Sequence, residues 1–144
     1  MQNIFLNIFQ ELPKYINFED MQIILKQREK YIIINTLSIH EQDCLIKYTL
    51  HCNQEEKIIN DSLSFFNKSN KKIIIYGKNS YDNSIDKKYK QLLNLGFVDI
   101  CIYKGGMFEW LLLQDIYGFE LFPTTSKNLD LLKYRPIKIG IDAL

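Results

Sequence analysis

The side chains best suited to chemistry here are three thiols, Cys44, Cys52 and Cys101, and two imidazoles, His40 and His51. A structural zinc site takes about four Cys or His ligands, usually in closely spaced pairs. No CxxC occurs, and His51–Cys52 is a single adjacent pair, so no metal and no other cofactor is expected. A reactive thiol needs an electropositive, partly exposed setting. Cys101 lies inside the apolar run Val98–Tyr103, which reads as a buried strand, and is expected to be inert. Ser80 has no His or Lys constellation to activate it as a nucleophile. An odd number of widely spaced cysteines points to a reduced interior rather than a disulfide framework. The expected location is therefore intracellular: cytoplasmic or, for a viral protein, virion-associated. Arg28 and Arg135 are the only two arginines, so the planar guanidinium fork that reads oxyanions bidentately has few candidates.

These groups must be positioned by a chain of 144 residues, a length that predicts one domain able to bury its own core without a staple. Eighteen Lys+Arg against seventeen Asp+Glu give a net charge of +1. That balance offers no electrostatic footprint for nucleic acid or an anionic membrane surface. Lys71–Lys72 and Lys87–Lys88 with Lys90 read as solvated faces. No stretch is long and apolar enough to span a bilayer, and Met1–Leu6 lacks the charged start and cleavage site of a signal peptide. The abundance of Ile, Lys and Asn, with one Ala and one Val, is the drift of an AT-rich source.

Periodicity sets the elements. Ile4, Phe5, Ile8, Phe9 and Leu12 fall at helical spacing over Asn3–Leu12, ended by Pro13. A second helix starts at Asn17 or Phe18, with Glu19–Asp20 in its first turn. Tyr31–Ile34, Lys72–Tyr76 and Val98–Tyr103 are continuous apolar runs, the pattern of parallel strands buried on both faces. Cys44–Ile46 and Tyr48–Leu50 form a shorter extended candidate. Helical patterns cover Glu55–Phe66, a stretch from Asn83 or Ser84 to Leu95, and Met107 to about Asp115. Asn83 or Ser84 is the expected cap of the second of these, with Asp86 near capping-box spacing and Gly96 just past its end. Phe65–Phe66, Phe108, Trp110 and Phe119 are expected to seal helices against the sheet. A short helical pattern spans Leu129–Leu132, and Ile137–Ile141 alternates like an edge strand. Alternating helix and buried strand predicts an α/β fold with a largely parallel sheet.

Three features in order resemble the rhodanese-like domain. They are Ile32–Asn35 followed by His40–Glu41 and Leu45–Leu50; the strand Ile73–Tyr76, its loop from Gly77, and a helix ending in Leu95-Gly96-Phe97; and Val98–Tyr103 running into Gly105-Gly106-Met107-Phe108-Glu109-Trp110. The last block is the most specific, because Gly-Gly opening a helix with Trp four residues on is uncommon. Departures are Asn35 for the family's Asp, Leu37 for its Arg and Tyr48-Thr49 for its Gly-Ala.

The resemblance implies a three-layer α/β fold with a central, mostly parallel five-stranded sheet flanked by helices. It covers residues 14–122; residues 1–13 would be an N-terminal helix packing on the domain and 123–144 a C-terminal extension. Signature positions would be Asn35, Glu41, Gly96, Gly105, Gly106 and Trp110. In the family, a catalytic Cys follows the central strand and sits in a loop whose backbone amides converge on its sulfur. Here that position is Gly77, and Lys78, Asn79, Ser80, Tyr81, Asp82, Asn83 and Ser84 supply neither the Cys nor the family's loop Arg. The loop is also about two residues longer by alignment on Gly96. No catalytic residue is therefore expected. The loop is read as a solvated connector, its amide cradle holding water or closed by Asp82, or else as a weak anion site. The function implied is an inactive rhodanese-like domain acting as a protein-binding, regulatory or structural module, with an unknown protein or a second copy as partner. The alternative left open is a sulfurtransferase using a displaced Cys.

Overall fold

A computed structural model describes residues 12–64 and 71–143. The expected N-terminal helix, apart from the exposed Leu12, and Phe65–Phe66 lie outside the described residues. The elements are β1 (Lys14–Ile16), α1 (Phe18–Lys26), β2 (Tyr31–Asn35), α2 (Cys52–Ser64), β3 (Lys72–Tyr76), α3 (Ser84–Asn94), β4 (Ile100–Tyr103) and α4 (Gly106–Tyr117). Short 3-10 turns lie at Arg28–Lys30, Ile39–Glu41, Leu131–Tyr134 and Ile141–Ala143.

The strands form a parallel sheet in the order β1-β4-β3-β2. Side chains alternate across it as the two-residue strand period requires. Ile33, Ile74, Tyr76 and Tyr103 face α1 and α4, where Met21, Ile24, Leu25, Met107 and Trp110 complete one core. Ile32, Ile34, Ile73, Ile75, Ile100 and Ile102 face α2 and α3, packing on Ile59, Ile85, Tyr89 and Leu92. The fold is thus the expected helix–sheet–helix sandwich, with four strands rather than five.

The short extended candidate expected at Cys44–Leu50 is drawn elsewhere by a distant contact. Cys44–Leu50 does not join the sheet as a strand. Ile46 instead makes one antiparallel bridge to Thr124, flanked by Lys47 N–H to Pro123 O (3.1 Å) and Thr125 N–H to Leu45 O (2.8 Å). Two residues on, Tyr48 takes φ +68°, a left-handed backbone that stops extension. Arg28 stacks over its ring at 4.3 Å. The contact left with β2 is Leu50 N–H to Ile33 O at 2.9 Å. β1 was not expected from the sequence: three residues, Lys-Tyr-Ile, are too few to show a period, and pairing with Cys101–Tyr103 creates the strand.

Several boundaries also move. α2 begins at Cys52, and β4 at Ile100, leaving Val98 exposed. α4 runs from Gly106 through Tyr117. α1 carries a complete capping box: Asp20 N–H donates to Asn17 Oδ1 (2.9 Å) and Asn17 N–H donates to Asp20 Oδ2 (3.1 Å). α3 ends in a Schellman turn, with Gly96 N–H to Leu93 O (2.9 Å), Phe97 N–H to Leu92 O (3.2 Å), and Gly96 at φ +102°. Trp110 is fully buried, edge-on to Tyr103 and Phe122, and donates to Pro123 O at 3.1 Å. Phe122, not the exposed Phe119, seals that corner.

The chain after Pro123 stays on the core. Tyr134 is completely buried beside Cys44, Leu45 and Ile46. Ser126 Oγ donates to Asp43 O at 2.7 Å, and Cys44 Sγ lies 3.3 Å from Ser126 O. Ile137–Ile141 forms no strand among the described residues. Nor is any described helix long and apolar enough to cross a membrane.

Candidate functional site

β3 is the central strand that carries the chain to Gly77, at the C-terminal edge of the sheet, where open parallel sheets place their sites. The loop Gly77–Asn83 then turns into α3. Its neighbour α4 holds it from the side: Met107 N–H donates to Gly77 O (3.0 Å) and Phe108 N–H to Lys78 O (2.9 Å). Two amides of the kind that lack partners at a helix start are therefore used by the loop. This explains Gly105-Gly106. Gly106 has φ +68°, and a Cβ on it would lie 2.6 Å from Gly77 O.

Inside the loop sits Asp82. Its Oδ2 accepts from Lys78 N–H at 2.9 Å and lies 3.4 Å from Thr36 Oγ1. Its Oδ1 accepts from Ser84 N–H at 3.0 Å and lies 2.5 Å from Ser84 Oγ, which is also 2.8 Å from Thr36 Oγ1. The carboxylate thus takes the amides of Lys78 and Ser84, two donors that the loop would otherwise offer to an outside anion. It is also the functional cap of α3. The expected caps do not act: Asn83 is helical at φ −72° and makes no capping bond. A Cβ on Gly77 would stand 2.5 Å from Asp82 Oδ2 and 2.9 Å from Thr36 Oγ1.

The other loop residues are placed as follows. Lys78 pairs with Glu41 at 2.6 Å, so the loop's cation is neutralised. Burial pushes the Glu41 carboxyl up, but Lys78 and the Ser38 hydroxyl at 2.8 Å outweigh it and hold the group below its ordinary 4.5. Asn79 is buried; its Oδ1 accepts from Tyr81 N–H (3.0 Å) and its Nδ2 donates to Tyr134 O (3.0 Å). Ser80, Tyr81 and Asn83 are exposed. Asn35 ends β2, buried, with Oδ1 accepting from Leu37 N–H at 3.0 Å. Of the signature residues, Asn35, Glu41 and Gly106 thus lie at this loop or its walls, whereas Gly105 adjoins Glu109, Gly96 terminates α3 and Trp110 packs in the core.

Above the loop is a cleft of about 350 Å³, walled by Thr36–Ser38 and Glu41, by Lys78, Asn79 and Tyr81–Ser84, and by Arg135 and Ile137. Sequence reasoning missed Thr36 and the tail residues. Arg135 is one of only two arginines, which was the available signal, but its delivery depends on Tyr134 being buried.

The thiols lie apart from this loop. Cys44 is buried under the tail. Cys52 is half-buried at the start of α2, its Sγ 3.8 Å from His51 Nδ1. Cys101 is half-buried in β4, and burial, reinforced by Asp99, pushes its thiol pKa up. No group of three His, Cys, Asp or Glu among the described residues has the geometry to hold a metal ion.

A family model, described as the rhodanese-like domain, matches residues 27–113. No curated protein matches the sequence. Three solved structures share the fold. The BH2092 protein of Bacillus halodurans is 21% identical, with TM-score 0.56, covering 81% of this chain and 82% of that one. The Alr3790 protein of Anabaena sp. is 19% identical, with TM-score 0.53, covering 82% and 97%. The Saccharomyces cerevisiae single-domain sulfurtransferase RDL2 is 16% identical, with TM-score 0.51, covering 74% and 94%.

Proposed function

Because this chain belongs to the rhodanese-like domain family, we propose that it uses the family's fold as a non-catalytic module that binds or organises a protein partner, and that sulfur transfer is absent from its loop. One observation carries the reading: the Asp82 carboxylate, held by the Lys78 and Ser84 amides, stands at the position where Gly77 offers no side chain. Sulfur transfer through a cysteine needs a thiolate held by donors that stabilise its charge. Gly77 has no thiol, and the Lys78 and Ser84 amides already serve an internal carboxylate. The positive charge of Lys78 is likewise matched by Glu41.

The thiols elsewhere fit the same reading. Cys44 is closed in by the tail, and burial disfavours the thiolate of Cys101. The experiment is a thiosulfate-to-cyanide assay on the wild type and on the single Cys44→Ser, Cys52→Ser and Cys101→Ser variants. The expected result is thiocyanate release no faster than buffer for all four. Turnover by the wild type that one Cys→Ser change abolishes overturns the proposal and identifies the displaced nucleophile.

A further inference from the structure

We infer that the cleft above the closed loop receives an acidic side chain from an extended segment of a partner protein, with Arg135 as its anchor. This deepens the protein-binding reading above and rests on it.

Arg135 is placed there by construction. The residue before it, Tyr134, is completely buried, and its carbonyl accepts from the buried Asn79 of the loop at 3.0 Å. The residue after it, Pro136, has its φ fixed. The guanidinium spends one nitrogen, Nη1, on Leu132 O at 2.8 Å. Asn79, a residue of the degenerate loop, thus ties down the tail so that a guanidinium stands at the cleft mouth.

The charges there are unevenly matched. Lys78 is paired with Glu41, and Asp82 is turned into its amides. Arg135 has no ion-pair partner among the described residues. The four formal charges cancel, so no long-range field selects the ligand. Selection rests on the local fork, which matches the two coplanar oxygens of one carboxylate. Of the loop amides, Asp82 already takes those of Lys78 and Ser84, and Asn79 takes that of Tyr81. A cleft of about 350 Å³ is at the small end for ligand sites and suits one side chain rather than a nucleotide.

The next residues indicate that the carboxylate arrives on a peptide. From Pro136 to Ile139 no strand or helix forms, and no backbone hydrogen bond ties these residues to the rest of the described chain. Ile137, alongside Arg135 in the cleft wall, and Ile139 are almost fully exposed. Free backbone with apolar side chains at alternate positions is what an added strand pairs with.

The test is an amide NMR titration of the full chain with two blocked pentapeptides, Val-Thr-Glu-Val-Thr and its Gln analogue, and with propionate. The Glu peptide is expected to shift the Arg135 side chain and the Ile137–Ile139 amides, and to bind about tenfold tighter than the Gln peptide, the difference made by one charge-assisted pair. Arg135→Gln should abolish that difference, and Arg135→Lys should keep only part of it. The inference fails if neither peptide binds, if Glu and Gln bind equally, if the preference survives Arg135→Gln, or if propionate binds as tightly as the peptide. These readouts do not involve sulfur, so they stand apart from the outcome of the cyanide assay.

Discussion

Asp82 and Gly77 share one space: a β-carbon on Gly77 would lie 2.5 Å from the Asp82 carboxylate oxygen that Lys78 N–H holds. The two residues are a matched pair, and a double-mutant cycle measures the match. Gly77→Ala should destabilise the fold by about 1–3 kcal/mol through overpacking. In an Asp82→Gly background the added cost of Gly77→Ala should fall by about 0.5–1 kcal/mol or more, because the nearer obstruction is gone and only Thr36 Oγ1, at 2.9 Å, remains. Urea unfolding of the four proteins reads this coupling; additive costs would contradict it.

The two glycines that pair left-handed backbone with different surroundings should respond differently. Gly96→Ala meets open space at φ +102° and should cost about 1 kcal/mol of backbone strain. Gly106→Ala has φ +68° and also drives a Cβ to 2.6 Å from Gly77 O, a backbone atom that cannot swing away. Its cost should exceed that of Gly96→Ala by at least about 1 kcal/mol. Thermal melts of the two variants decide the order.

Tyr134 makes the chain after Pro123 part of the core. Tyr134→Ala should cost about 3–5 kcal/mol, the range for losing a buried aromatic. It should also release Arg135, broadening the Arg135 and Asn79 side-chain NMR signals. A cost below about 1 kcal/mol would mean that the tail lies on the surface instead.

Stability should fall at both ends of the pH scale, for different groups. Glu41 is depressed below its ordinary 4.5, so its contribution is complete above that value and is lost as pH drops through the lower, folded value. Lys78→Met should move the Glu41 titration upward. Tyr76, Tyr103 and Tyr134 are raised above 10, chiefly by burial. Their contribution is complete below 10 and is lost as pH rises toward their folded values. In an absorbance titration, Tyr76, Tyr103 and Tyr134 should stay protonated past the ordinary range until the chain unfolds.

What could be read from the sequence follows the strength of each local signal. The apolar runs of β2 and β3, the helix stop at Gly96 and the Gly-Gly-to-Trp110 block are dictated by near neighbours, and all appear where expected. Closure of the cradle by Asp82 was legible as one option, because a carboxylate at a helix start competes for the same amides. Features set by distant contacts were not legible. The Cys44–Leu50 stretch has strand-like residues, but it pairs with Thr124 across the fold and is broken at Tyr48. Arg135 reaches the cleft from the tail because Tyr134 finds a hole in the core, which no spacing rule reveals.

The proposed absence of sulfur transfer rests on the Asp82 carboxylate standing beside Gly77. Intact-mass analysis of the reduced chain after incubation with thiosulfate or a low-molecular-weight persulfide tests it most directly. No cyanide-labile sulfur adduct is expected at stoichiometric level. A single, stoichiometric adduct removed by cyanide and mapped to Cys44, Cys52 or Cys101 would contradict it.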